Sequence, residues 1–248
     1  LRGLVANQRL EYRVALTNGA HGSATDPRNP KDYPRLAARL TFNVFESESG
    51  AGASGFFWDG IYLKLTDKGL ISPKRVLSFG VSVDYQHDLN VSRTTGVFDP
   101  TQPLFVRERK PYYAVAADVF MDMPLNASRL MSLTGQVNFY YYDHGDRRAL
   151  ADGVSRSFYG VDGGGEYSGY GFMAELGFRY DRYGAVVTVD WFDATRADGD
   201  EGDLLTVTGG LNWWWRGHGT NVKLQAGATK VNGGGFDPLI ILQIQLFL

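Results

Sequence analysis

Residues 239–248, LIILQIQLFL, split into two chemistries when read alternately: Ile240, Leu242, Ile244, Leu246 and Leu248 are aliphatic, while Gln243 and Gln245 stand between them. A period of two belongs to a strand whose faces meet different surroundings. The same period returns along the chain. Residues 170–180 set Tyr170, Phe172, Ala174, Leu176, Phe178 and Tyr180 against Gly171, Met173, Glu175, Gly177 and Arg179. Residues 131–142 set Met131, Leu133, Val137, Phe139 and Tyr141 against Ser132, Thr134, Gln136, Asn138, Tyr140 and Tyr142. The runs last 9–13 residues, against ~5–6 in ordinary strands. No segment holds a helical period.

The pattern predicts an all-β chain of 12 strands at 1–6, 9–18, 34–45, 57–66, 75–87, 112–123, 129–142, 169–181, 184–194, 204–215, 220–231 and 238–248. Short connectors such as Asp181-Arg182-Tyr183-Gly184 and Arg216-Gly217-His218-Gly219 alternate with long polar ones at 88–111, 143–168 and 195–203. Short turns at one rim and long loops at the other are the mark of an antiparallel transmembrane β-barrel. The connector 19–33 breaks the rule, being 15 residues long on the short-turn side. A soluble sandwich is the competing architecture, but it predicts shorter strands and no aromatic rims. With the last strand running down to the periplasm, Trp213, Trp215 and Tyr180 fall at one edge, and Phe139, Tyr141, Tyr85, Trp191 and Tyr113 at the other. Two aromatic belts are expected where rings sit at headgroup level.

Composition narrows the classes further. Lys+Arg 25 against Asp+Glu 27 leaves no basic footprint for nucleic acid, and the absence of cysteine removes disulfides, thiolate metal sites and cysteine nucleophiles. No apolar stretch approaches the ~18 residues of a spanning helix. The chain opens on Leu1 with no leader pattern, which reads as a mature form or a fragment. The pattern predicts a single transmembrane β-barrel domain over 1–248, the C-terminal part of a longer barrel.

GLNWWWRGHGTNVKLQ at 210–225 resembles the penultimate hairpin of the phosphate-selective porin O and P family, through Gly210, Leu211, Asn212, Trp213, Asn221, Val222, Lys223 and Leu224. LEYRVALTNG at 10–19 with KDYPRLAARLTF at 31–42 is similar to that family's strand ending in Asn-Gly, its extended turn and its arginine-bearing strand. LRGL at 1–4 echoes the family's R-D-I-G without the Asp, and Leu248 closes the chain where family members usually end on Phe. The resemblance implies a barrel of about sixteen strands, and hence that strands preceding residue 1 are missing and that this chain does not seal a barrel by itself.

Alternation assigns Arg9, Arg13, Arg35, Arg39, Lys64, Arg179 and Lys223, with Glu11, Asp84, Asp118, Glu175 and Asp190, to the inner wall, and Asp122 to its rim. Seven positive charges against five negative predict a weak anion bias or a set of cross-strand ion pairs. Arg35 and Arg39, with Lys64 on the next strand, form the densest basic patch. FVRERKP within 88–111 reads as a solvated rim around Arg107, Arg109 and Lys110, with an inward constriction as the other choice. Asp198, Asp200, Glu201 and Asp203 form an acidic surface loop without the ligand spacing of a calcium loop. No Gly-x-Ser-x-Gly elbow or paired-His metal motif occurs, and His87 has no serine on the outward rows beside it. Catalysis, metal and cofactors are therefore not expected.

The resemblance implies passive diffusion of small hydrophilic solutes or ions, phosphate-like anions among them, across a bacterial outer membrane. The expected partners are outer-membrane lipid, the solutes, and a homotrimer or another outer-membrane protein. A non-conducting barrel that serves as a structural or partner-binding scaffold is the alternative.

Overall fold

The computed structural model describes residues 1–19, 32–47, 57–58, 61–65, 71–93, 106–126, 131–143, 168–194, 203–215 and 220–246. The strands are β1 (Arg2–Val5), β2 (Leu10–Thr17), β3 (Arg35–Asn43), β4 (Phe57–Trp58), β5 (Ile61–Leu65), β6 (Ile71–Pro73), β7 (Val76–Arg93), β8 (Val106–Asn126), β9 (Met131–Asp143), β10 (Gly169–Tyr180), β11 (Tyr183–Asp193), β12 (Leu204–Trp214), β13 (Thr220–Val231) and β14 (Phe236–Leu246). No helix occurs among the described residues. An 11-stranded antiparallel sheet runs in the order β1-β2-β3-β7-β8-β9-β10-β11-β12-β13-β14, and β4-β5-β6 form a second, 3-stranded sheet. The large sheet is open: β1 and β14 are its edges and do not pair with each other.

The expected count of 12 barrel strands needs a correction at residues 57–66. Ile61, Leu63 and Leu65 alternate with Tyr62 and Lys64 as in any other strand, yet this segment stays out of the large sheet. β3 is already paired on both sides, with β2 through Arg39↔Arg13 and with β7 through Arg39↔Ser82. The β3–β7 ladder even continues beyond the strands, with Val44 N–H donating to Leu77 O at 2.8 Å and Glu46 N–H to Arg75 O at 3.1 Å. β5 therefore finds its partners locally, in β4 and β6.

Removing one strand from the count changes which rim each earlier connector occupies. In consecutive antiparallel pairing, the connectors at 6–9, 44–75, 127–130, 181–182 and 215–219 share one rim. Those at 18–34, 94–105, 144–168, 194–203 and 232–235 share the other. The segment 19–33 thus belongs with the long loops and is no exception. The exceptional connector is 44–75, which carries the small sheet on the short-turn rim. Each rim keeps one irregular member, the other being the tight turn at Asn232 and Gly233, where φ is 51° and 68°. Glycine takes that left-handed backbone freely.

One loop is shorter than the sequence suggested. Strands β7 and β8 extend into 88–111, pairing Asn90↔Lys110, Val91↔Arg109 and Ser92↔Glu108 beyond a register shift after Gln86. Asp88, with φ 52°, sits in that shift. Arg109 and Lys110 are thus backbone members of a projecting hairpin, and their side chains lie outside the described residues.

Burial is inverted relative to a water-soluble domain. Gln86, Asp122 and Ser132 are 0% exposed, and Asn43, Ser78, Arg179, Thr208 and Asn221 are also buried. Against them, Ile240 is 76% exposed, Leu242 63%, Leu211 64% and Leu176 57%. Register explains the sorting, because partners across an antiparallel ladder share a face. Phe42↔Phe79, Phe79↔Val119, Val119↔Val137, Val137↔Ala174, Ala174↔Val189, Val189↔Val207 and Val207↔Ala228 trace one apolar belt across eight strands.

Aromatic rings collect at both ends of this exposed face. At one end the Trp213 and Trp215 rings stack at 6.0 Å, near Tyr180↔Tyr183 and Tyr183↔Trp213. At the other, Tyr113 and Tyr141 lie 5.8 Å apart, and Trp191 meets Tyr170 at 5.5 Å and Phe172 at 5.6 Å. From Tyr170 to Tyr180 along β10, at ~3.3 Å per residue, the two groups stand roughly 33 Å apart along the strand.

Candidate functional site

The opposite face of the large sheet is polar, and its rows follow from the same ladders. One row runs Glu11↔Thr41, Thr41↔Gly80, Gly80↔Asp118, Asp118↔Asn138, Asn138↔Met173 and Met173↔Asp190. A second runs Arg13↔Arg39, Arg39↔Ser82, Ser82↔Ala116 and Ala116↔Tyr140. A third joins Arg179↔Gly184, Gly184↔Asn212 and Asn212↔Lys223. Glu11, Arg13, Arg35, Arg39, Asp84, Asp118, Glu175, Arg179, Asp190 and Lys223 all lie on this face.

Two of the expected wall residues stand elsewhere. Arg9 is exposed in the β1–β2 turn, where Ala6, Asn7 and Gln8 take φ of 52°, 54° and 65°. That tight turn takes Arg9 out of the β1–β2 ladder, while its carbonyl still accepts from Asn43 N–H of β3 at 2.7 Å. Lys64 belongs to β5 in the small sheet. The basic patch of Arg35, Arg39 and Lys64 on neighbouring strands is therefore not formed, because the neighbour of β3 is β7.

The arginines of that patch are also closed on carboxylates. Arg39 Nη1 and Nη2 donate to Asp118 Oδ2 and Oδ1 at 2.6 and 2.8 Å, and Nη1 also reaches Ser82 Oγ at 3.0 Å. Arg35 makes the same forked pair with Asp84, its Nε 2.7 Å from Oδ1. Glu11 Oε1 accepts from Arg2 Nε at 2.8 Å and Arg13 Nε at 2.6 Å. Planar two-point pairs of this kind are the strongest charge-assisted contacts available to arginine. Gly80 makes one of them possible: a Cβ there would collide with Arg39 Nη2 and the Asp118 carboxylate, which meet across it.

Charges on the other half of the face are arranged differently. Among the described residues, the side chains of Glu175, Asp190 and Lys223 form no ion pair or hydrogen bond. Glu175, Arg179 and Lys223 line a hollow of about 360 Å³ together with Thr134, Asn212 and Gln225. Arg179 lies 5.3 Å from the centre of the Trp214 ring, and that ring fills the space a Cβ would take at Gly184. The surrounding polar groups bond along the wall: Gln225 Nε2 donates to Thr208 Oγ1 at 2.6 Å and Asn221 Nδ2 to Gln245 Oε1 at 3.1 Å.

Asp122, expected at the rim, is fully buried, with Thr134 Oγ1 donating to its Oδ1 at 3.4 Å. Asp203 accepts from Ala194 N–H at 2.8 Å, whereas Asp198, Asp200 and Glu201 lie outside the described residues, as do His21, His144, His218, Phe247 and Leu248. His87 is exposed, its Nδ1 3.2 Å from Tyr85 Oη. The sequence reading placed Tyr140 and Tyr142 on the polar row without giving them a role, and missed Tyr112, Phe192 and Trp214 as inward aromatics. Their parity along the strands was the signal that could have found them.

No protein-family description, curated protein or solved structure matches this chain.

Proposed function

We propose that this chain forms the wall of a bacterial outer-membrane β-barrel through which small hydrophilic solutes and ions diffuse, as in the phosphate-selective porins it resembles. The observation that carries the reading is the inverted burial: buried Gln86, Asn43, Asp122 and Asn221 on one face, exposed Leu176, Leu211, Leu242 and Ile240 on the other. In water, each large aliphatic side chain left out costs ~1.5–3 kcal/mol relative to burial, and soluble monomers rarely carry such continuous apolar patches. In lipid the same face is favourable, and at a barrel strand's tilt of ~40° its two aromatic groups stand ~25 Å apart in height, the span of a membrane barrel's apolar band. The polar face then borders a wet lumen.

On this reading β14 runs towards the periplasm, the short turns face the periplasm, and the long loops face outward. The edges β1 and β14 cannot face hydrocarbon, since each unsatisfied backbone group there costs several kcal/mol. Each other's edge or further strands must cover them. Because Arg35, Arg39 and Glu11 are internally paired, wall charge supports at most a weak ion preference.

The test is single-channel recording of the full-length protein in planar bilayers, with ion substitution. Stepwise conductance with mild selectivity is expected. A protein that inserts and folds yet carries no current would overturn the pore reading in favour of a scaffold.

A further inference from the structure

We propose that the long-loop end of the polar face holds a binding site for a neutral carbohydrate, an inference that rests on the pore reading and names a solute class for it. The site is a hollow of about 440 Å³ on β2, β3, β7, β8 and β9, within the ~300–1,000 Å³ usual for small-ligand sites.

Its chemistry comes from three kinds of side chain. Ala37 and Ala114 form a low floor, with Tyr112, Tyr140 and Tyr142 around it. The Tyr140 and Tyr142 rings stand 5.3 Å apart at 51°, an aromatic corner rather than a flat stack. Tyr140 is held from behind, for its ring occupies the space over Gly171 and stacks on Phe192 at 6.3 Å and 14°. Arg39, Ser82 and Asp84 supply polar edges to the same hollow.

Charge decides which solute fits. A site for a free anion needs uncompensated cations, but beside the rings Arg39 is paired with Asp118 and Arg35 with Asp84, and Arg13, which also lines the hollow, is bonded to the Glu11 carboxylate that it shares with Arg2. A purely apolar solute would strip water from those pairs without replacing its hydrogen bonds. A pyranose suits both demands. Its C–H face packs on an aromatic ring, and its hydroxyls meet groups that donate, such as the guanidinium, and groups that accept, such as the carboxylates.

The experiment is titration of maltotriose into single channels of the full-length protein carrying KCl current, with acyclic mannitol as the control. Maltotriose is expected to interrupt the current in a saturable way that mannitol does not reproduce. Tyr142→Ala and Tyr140→Ala should each raise the half-blocking concentration about fivefold, the scale of one aromatic contact, while KCl conductance is retained. Tyr142→Phe should block like the parent. Ala114→Leu, which fills the floor and keeps all three tyrosines in the chain, should also abolish the block, and it serves if either alanine variant fails to fold. Absence of any maltotriose block in a conducting channel overturns the site, as does a block untouched by all these substitutions. If no channel conducts, the pore reading fails by itself. The site is then judged by calorimetric titration of maltotriose into detergent-solubilised protein. Heat that is lost in Tyr142→Ala supports it, and no heat in the parent overturns it.

Discussion

On β2, β3, β7 and β8 the arginines and carboxylates of the polar face are joined in ion pairs, whereas Glu175, Asp190 and Lys223 on β10, β11 and β13 form none among the described residues. Arg39 reaches Asp118 with both Nη atoms, and Arg35 forks onto Asp84. Glu175, Asp190 and Lys223 make no such contacts among the described residues. Both halves use the same pleat and the same glycine-relieved spacing. The difference is whether opposite charges come within reach, diagonally across one ladder for Arg35 and Asp84, or over Gly80 of the intervening β7 for Arg39 and Asp118. On the proposed pore reading, a closed pair presents little net field a few ångströms away and would exert little pull on a passing ion. An open charge contributes to the lumen potential as far as screening allows, ~10 Å at 0.1 M salt. The forked pairs of Arg35 and Arg39 thus add little field, while Glu175, Asp190 and Lys223, with the extra cation where Arg2 and Arg13 share Glu11, add more.

The comparison presupposes that both halves turn a common apolar face to lipid, and the largest expected effect tests that premise. Leu176→Arg, at mid-height on β10, is expected to cost about 2–4 kcal/mol in urea unfolding from lipid vesicles. Gly177→Arg, one residue along on the polar face, should cost far less, because a Cβ there meets nothing closer than 3.7 Å. Equal losses would mean that the faces are misassigned and that the comparison has no basis.

Next in size is the stability difference between the halves themselves. Asp118→Ala leaves the Arg39 guanidinium without its two-point partner, in a pair whose side chains are 33% and 13% exposed. Partial exposure discounts the penalty of a fully buried pair, so about 1–3 kcal/mol is expected by the same unfolding measurement. Glu175→Ala removes no ion pair and should stay within ~0.5 kcal/mol. If Glu175→Ala proves the more damaging, the closed-versus-open distinction is wrong.

The smallest effect is electrical. Lys223→Gln should shift the reversal potential in a KCl gradient towards cation preference, and Glu175→Gln should shift it the opposite way. Both shifts should be largest in dilute electrolyte, where screening is weakest. The double change Arg39→Gln with Asp118→Asn should leave reversal potentials where they were, since it deletes a neutral pair. A large shift from that double change, with none from Lys223→Gln, would reverse the roles assigned to the two halves.

By itself the sequence determined what depends on a residue and its near neighbours. The period of two set which side chains share a face, so Leu176 and Leu242 separated correctly from Glu175 and Gln243, and ten of the twelve wall residues fell on one polar face. The clustering of rings at both ends of the apolar rows was equally legible. Only the tertiary structure decided which strands are neighbours. Ile61–Leu65 alternates as well as any strand, but β3 has two edges and both are taken, so that segment pairs within its own excursion. Lys64 left the wall with it, and the connector at 19–33 changed rims. Arg39 and Asp118 are 79 positions apart, and Arg35 and Asp84 are 49. Local periodicity carries no information about separations of that size. They are set by strand order and register, which a chain settles only when its backbone hydrogen bonds are satisfied across the sheet as a whole.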